Sequence, residues 1–304
     1  MAAVGSRSAK EDRLSNESSV LCTGMHRSGT TWVGKALASA FGLRNVHEPS
    51  NPVVSHRLRH FYFAAESPDD LHGPYGFVLD HSRVTRTRSV FYGNPRTWPT
   101  RLATSQLVRP AVVKDPFAFF NSRMLSELYG LDTVLCVRHP AGVVSSAIRL
   151  GWHFDFANLL NQPRLVRELS PWHARIAYQL KRPPDILEEV SLLWTVLYGW
   201  WRTSDTAPKH FSIANHAQLV SEPTSITSLL PVRECDDQRF EAFLARTRTK
   251  ENSSGDNAKF DDVVRDERTL IQPWRRRMSE VQLLEVQRIA GREAEEWGFL
   301  SDSW

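Results

Sequence analysis

Cysteine is scarce in this chain: three among 304 residues. Cys22, Cys136 and Cys235 are too few for a disulfide framework. Two of them fall in apolar runs that read as buried strands, so reduced core thiols are expected. No Cys/His spacing suits a metal site, and no metal is expected. No apolar run of about 18 residues occurs, so no membrane span is expected. Residues 1–18 are polar, carry Arg7, Lys10 and Arg13, and lack the apolar centre of a signal peptide. They are expected to form a disordered tail, and the chain to be cytoplasmic. The net charge of +4 is too small to point to a nucleic-acid partner. Lysine is also rare, at seven of the 38 basic residues. Arginine favours bidentate contacts with phosphate and sulfate, although genome base composition produces the same bias.

What is present is an alternation of short apolar runs and helical segments. The length allows one large α/β domain or two small ones. The pattern favours a single domain over 19–304. Strands are predicted at Ser19–Thr23, Leu43–His47, Ala111–Lys114, Thr133–Val137 and His210–Ala214. Helices are predicted over Thr30–Phe41, with Gly42 as its stop, and from Pro140, with Val143, Val144, Ala147 and Ile148 on one face. An amphipathic helix is predicted over about 186–202, with Val190, Leu193, Trp194, Leu197, Tyr198 and Trp201 at helical spacing. A last helix, Ser279–Trp297, opens on Ser279 with Gln282 three positions on. Such alternation implies an α/β fold, a three-layer sandwich with a central parallel sheet. Ligand loops then gather at the carboxyl ends of the strands.

The most informative stretch runs from Val20 to Trp32, a strand leading through a glycine loop into a helix. Gly24 and Gly29 are spaced as in a Walker A loop, but Thr30 stands where the lysine belongs. A loop that keeps the glycines and loses the lysine suits an anion of lower charge at a helix N-terminus. Arg27 can supply the missing cation. No acidic residue follows strand Thr133–Val137 to hold magnesium, since Arg138 stands there. The string Arg27-Ser28-Gly29-Thr30-Thr31-Trp32 resembles the 5′-phosphosulfate loop of sulfotransferases that use 3′-phosphoadenosine 5′-phosphosulfate (PAPS). The resemblance implies a P-loop NTPase-like fold, PAPS as co-substrate with no metal, and these six residues as its contacts.

Arg138, at a strand end, with Ser146 eight positions later resembles the 3′-phosphate motif of the same family. An arginine fork and a helix-start hydroxyl suit a terminal phosphate. The base is less direct. Cytosolic members carry a histidine after the third strand, but here Lys114-Asp115-Pro116 puts proline there. Glu48-Pro49 resembles the Glu-Pro of bacterial and carbohydrate-type members, which implies Glu48 as base; His47 and Asp115 stay open as alternatives. The resemblance implies that Lys114 contacts the transferred group, with Arg27 beside it in catalysis. Trp274-Arg275 resembles a late element of these enzymes, with Arg275 turning back to the 3′-phosphate.

Residues 50–110 are irregular, rich in aromatics and proline, and expected to form the acceptor site. Phe61, Tyr62, Phe63, Tyr75, Phe77, Phe91, Tyr92 and Trp98 suit an apolar pocket for a small molecule. Arg83, Arg86, Arg88, Arg96 and Arg101 suit an anionic acceptor such as a glycan. The reading is a PAPS-dependent sulfotransferase. Its rivals are an ATP-dependent P-loop kinase and a non-catalytic nucleotide-binding relative. The missing Walker lysine and acid argue against the first, and the intact Arg27 and Lys114 against the second.

Overall fold

The computed structural model describes residues 18–48, 50, 51, 63, 110–208, 211–249, 272–300 and 304. Five strands form one sheet: β1 (Val20–Gly24), β2 (Arg44–His47), β3 (Ala111–Lys114), β4 (Asp132–Val137) and β5 (Phe211–Asn215). Their order is β2-β3-β1-β4-β5, and every pairing is parallel.

The period-2 alternation of the strands sorts the core into layers. Val20 and Cys22 of β1 and Val134 and Cys136 of β4 pack with Val33, Ala36 and Leu37 of helix α1 (Thr30–Ala40). Leu21, between them, faces the other way with Val113 and with Leu125 of helix α2 (Ser122–Tyr129). Leu135 and Val137 lie on that second face with Val143 and Val144 of α3 (Pro140–Leu150). Short helices α4 (Ala157–Leu160), α5 (Pro163–Glu168) and α6 (His173–Gln179) lead on to α7 (Ile186–Thr203). After β5 come α8 (His216–Ser221), α9 (Asp237–Thr249), α10 (Trp274–Arg277) and α11 (Glu280–Glu296). The chain is an α/β protein with helices on both faces of a parallel sheet.

The α7 segment was expected to be amphipathic, and here the structure differs. Every residue from Glu189 to Trp201 is buried. The helix lies in the same core as α3 and α11, and Trp200 meets Phe119 and Phe120, with centroids 5.8 and 4.9 Å away. A helix covered on all sides has no polar face to keep. The first strand begins and ends one residue later than expected, and β5 ends at Asn215. His210 lies outside the described residues. The Ser279 cap of α11 forms a full capping box: Gln282 N donates to Ser279 Oγ at 3.2 Å, and Ser279 N to Gln282 Oε1 at 2.9 Å.

The topology fixes where a ligand can bind. Helices α1 and α2 leave β1 and β3 on opposite faces of the sheet. The carboxyl end of β1, between β3 and β4, is therefore a topological switch point, where α/β sheets open a crevice.

Candidate active site

Because every pairing is parallel, the carboxyl ends of all five strands lie along the edge of the sheet that holds this crevice. The loop after β1 turns sharply at Gly24, at φ 148°. A side chain there would come within 2.5 Å of the Cys136 carbonyl oxygen on the neighbouring strand. Two further left-handed residues, Arg27 at φ 71° and Gly29 at φ 97°, wrap the backbone into a concave turn. Ser28 N donates to Met25 O at 3.1 Å and closes it. Gly29 is the N-cap of α1 and supplies no side-chain acceptor to the first-turn amides. Amides at such a helix start suit an anion. A Cβ on Gly29 would meet His216 Cδ2 at 2.8 Å. Tyr198, buried in α7, anchors the loop from below. Its hydroxyl donates to Cys136 O at 2.7 Å and accepts from Met25 N at 3.3 Å, and burial raises its pKa.

The structure brings together the two motifs that were expected to bind phosphate. Arg27 Nε donates to Ser146 Oγ at 2.9 Å, and Arg138 Nη1 donates to Arg27 O at 3.1 Å. The loop cation is thus turned onto the serine expected at the 3′-phosphate. Gly142 makes room for the Arg138 fork, since a Cβ there would lie 2.9 Å from Arg138 Nε. His139 follows Arg138 and caps α3, its Nδ1 accepting from Ala141 N at 3.2 Å. Its ring stacks on Trp274, 4.6 Å away and 9° from parallel. Burial, with the Arg275 and Arg138 charges, pushes His139 down to about 3, so the ring stays neutral and acts as a spacer. Arg275 lies over the Trp274 ring at 5.2 Å. His139 therefore ties the end of β4 to the start of α10. Thr30 is buried, Thr31 partly so, and the Trp32 ring faces Phe243 at 5.9 Å.

On the β2–β3 side, Glu48 and Lys114 form an ion pair. Lys114 is only 5% exposed and Glu48 14%. Glu48 N donates to Lys114 O at 2.7 Å, and Asn51 Nδ2 donates to Glu48 Oε2 at 2.8 Å. Burial alone would raise the Glu48 carboxyl. Lys114, the Asn51 hydrogen bond and the His47 ring outweigh it and hold the pKa below the usual carboxylate range. Gly34 of α1 lets that helix pass the lysine stem, since a Cβ there would sit 3.0 Å from Lys114 Cβ. His47 Nε2 is 3.7 Å from Glu48 Oε2, and its side chain is 43% exposed. Asp115 is fully buried, and burial raises its carboxyl to about 6.

His26, in the glycine loop, was not singled out by the sequence. Its ring meets Phe117 at 4.5 Å, Phe63 at 5.7 Å and Trp152 at 5.9 Å. Burial pushes it down to about 3 against the opposing pull of Glu48, so it is neutral at physiological pH. Of the aromatics expected at the acceptor site, only Phe63 falls among the described residues. The other seven, and the five arginines from Arg83 to Arg101, lie outside them. Phe117 and Trp152, which meet the same His26 ring as Phe63, come from distant parts of the chain and carried no local signal.

Among the described residues no group of three or more His, Cys, Asp or Glu is placed to hold a metal ion. Among the same residues no helix is long and apolar enough to cross a membrane. No family model matches the chain, and no curated protein matches it. Among solved structures the chain is similar to the mouse sulfotransferase SULT7A1 complexed with PAP. The two are 11% identical, the match covers 96% of this chain and 94% of that one, and the TM-score is 0.40. A likeness this loose transfers no residue's role.

Proposed function

We propose that this protein is a sulfotransferase that moves a sulfuryl group from PAPS to a hydroxyl of a small-molecule or glycan acceptor. The observation that carries the reading is the Arg27–Ser146 hydrogen bond, with Arg138 on the Arg27 carbonyl. Two motifs far apart in sequence, each matching one phosphate site of the same donor, meet at the switch point of the sheet.

Ser28 to Trp32 then bind the 5′-phosphosulfate through amides at the start of α1, and the cradle fits a group that must come close. Side chains at Gly24 or Gly29 would collide with Cys136 O or the His216 ring and force the loop out of this shape. Arg138, Ser146 and Arg275 hold the 3′-phosphate. Arg27 lies between the two sites and supplies charge to the donor. Glu48 takes the proton of the acceptor hydroxyl, whose oxygen bonds to sulfur while the bond from sulfur to the phosphate oxygen breaks. The product is a sulfate ester, and adenosine 3′,5′-bisphosphate leaves. Lys114 meets the negative charge that builds on the departing oxygens.

The ion pair has a consequence for timing. Lys114 holds Glu48 ionised, so the carboxylate is ready but a weak base. Negative charge arriving at Lys114 competes for its ammonium and frees Glu48 to accept a proton. The carboxylate is thus strengthened when donor and acceptor are both present.

The test is thermal denaturation with adenosine 3′,5′-bisphosphate and, separately, with ATP and magnesium. The bisphosphate should raise the melting temperature and ATP much less. Transfer of label from ³⁵S-PAPS to a panel of phenols, sugars and lipids identifies the acceptor. Stabilisation by magnesium-ATP alone would replace this reading with a kinase.

A further inference from the structure

We propose that Asp115 is a positioning residue that clamps the turn carrying Glu48 against the end of β3. The inference rests on reading Glu48 as the base, and it gives Asp115 a role other than that of a rival base.

Asp115 directly follows Lys114 and is built into the sheet frame by its backbone. Its N–H donates to Cys22 O at 2.9 Å, and its carbonyl accepts from Thr23 Oγ1 at 2.9 Å. Both partners belong to β1. Its side chain reaches the other way, toward the turn that follows β2. Oδ2 accepts from Ser50 N at 2.9 Å and from Ser50 Oγ at 2.5 Å, and Oδ1 accepts from Phe117 N at 3.1 Å. The carboxylate is fully buried and both its oxygens are engaged, so it has no open face toward a substrate.

The turn needs such a clamp. Asn51 N donates to Glu48 O at 3.1 Å, which closes a four-residue turn. Glu48 itself sits at φ 44°, left-handed for a residue with a Cβ. That conformation is disfavoured and persists only where its surroundings over-determine it. The clamp comprises two charge-assisted bonds from Ser50 to Asp115, the Glu48 N–H on Lys114 O, and the Glu48 carboxylate on Lys114 and Asn51. Asp115 and Lys114 are consecutive, so one strand end fixes both the turn and the cation that the base faces. Ser50 lies 65 positions from Asp115, so the contact exists only in the folded sheet.

Asp115→Asn keeps an oxygen for Phe117 N but turns an amide donor toward the two Ser50 donors. Ser50→Ala removes only the hydroxyl bond and serves if the first variant folds poorly. The readouts are adenosine 3′,5′-bisphosphate release from PAPS, bisphosphate affinity, and amide hydrogen exchange. By coupling through Glu48, Asp115→Asn should lower kcat by about 10- to 100-fold, with bisphosphate affinity within about threefold. In a Glu48→Gln background the same substitution should cost nothing more, because a positioning effect disappears with the group it positions. Ser50→Ala should show a smaller loss with the same dependence on Glu48. Exchange at the Ser50 and Asn51 amides should accelerate while Leu21 and Val113 stay protected. The proposal is overturned if kcat survives, if the losses multiply in the double variant, or if those two amides keep their protection. A wild-type protein inert toward PAPS would refute the sulfotransferase reading instead, and the exchange rates would still decide whether Asp115 clamps the turn.

Discussion

Replacing Glu48 with glutamine removes a charge and a proton acceptor but leaves an amide oxygen to which Lys114 can still donate. That separates two contributions which a smaller side chain would confound. Lys114 is 5% exposed, so its ammonium is costly to leave alone. Breaking a buried pair by removing one partner destabilises by about 3–5 kcal/mol, and Glu48→Ala should approach the lower end because the pair is not fully sealed from water. Glu48→Gln keeps a hydrogen bond and should cost only about 1–2 kcal/mol. The catalytic loss should not follow stability. General-base catalysis contributes about 10²- to 10⁴-fold, so kcat should fall by that much in Glu48→Gln with PAPS affinity nearly unchanged. The wild-type acidic limb should lie below the ordinary carboxylate range in the free enzyme, since Lys114 and Asn51 depress the Glu48 pKa. It should vanish in the glutamine variant. A phenol, being more acidic, should lose less than an aliphatic alcohol. Steady-state turnover of ³⁵S-PAPS over a pH series, with urea melts of the same samples, measures both quantities. A fully active Glu48→Gln would refute the assignment, above all if His47→Ala were inactive.

Arg138→Ala should weaken adenosine 3′,5′-bisphosphate by about 30- to 1000-fold, the loss of a charge-assisted pair, and spare adenosine 5′-phosphosulfate; calorimetric titration of both nucleotides checks it, and equal weakening would reject a 3′-phosphate role. Gly29→Ala forces a left-handed residue and a 2.8 Å approach to His216, so it should destabilise by about 1–3 kcal/mol and abolish nucleotide-induced stabilisation; an unchanged thermal shift would show that the cradle is not the binding surface. His139 has a folded-state pKa of about 3 against an ordinary 6.5. Its contribution to stability is therefore complete above pH 6.5 and lost as the pH falls toward 3, because the unfolded chain takes up a proton that the fold refuses. At pH 5 the loss is about 2 kcal/mol, so in His139→Phe the difference between the unfolding free energies from urea melts at pH 7.5 and pH 5 should narrow by that amount. An unaltered pH dependence would show that the ring titrates normally.

What could be read in the sequence was local. Gly24, Gly29 and the string from Arg27 to Trp32 describe one strand-loop-helix turn, and the positive φ of both glycines is a demand that the chain states in its own letters. The unbroken apolar run Val20-Leu21-Cys22 likewise marked β1 as a buried strand. Arg138 and Ser146 share one strand-helix junction, so their spacing was legible too. What could not be read depends on segments that meet only in the fold. No local signal told that the Arg27 guanidinium would lie on Ser146, 119 positions away. The α7 helix shows a polar-apolar rhythm, but only the presence of α3 and α11 on its flanks decides that it is buried from Glu189 to Trp201. His26 looks like a titratable loop residue until Phe117 and Trp152 remove its water. Asp115 shows the limit most sharply. Its neighbours in sequence mark it as a substitute base, since it follows the strand-end lysine. Its neighbours in space, Ser50 and the end of β1, occupy its oxygens and backbone and leave it only the task of holding another carboxylate in place. A residue's chemistry is written in its type, but whether it reacts or supports depends on which of its atoms the fold has already used.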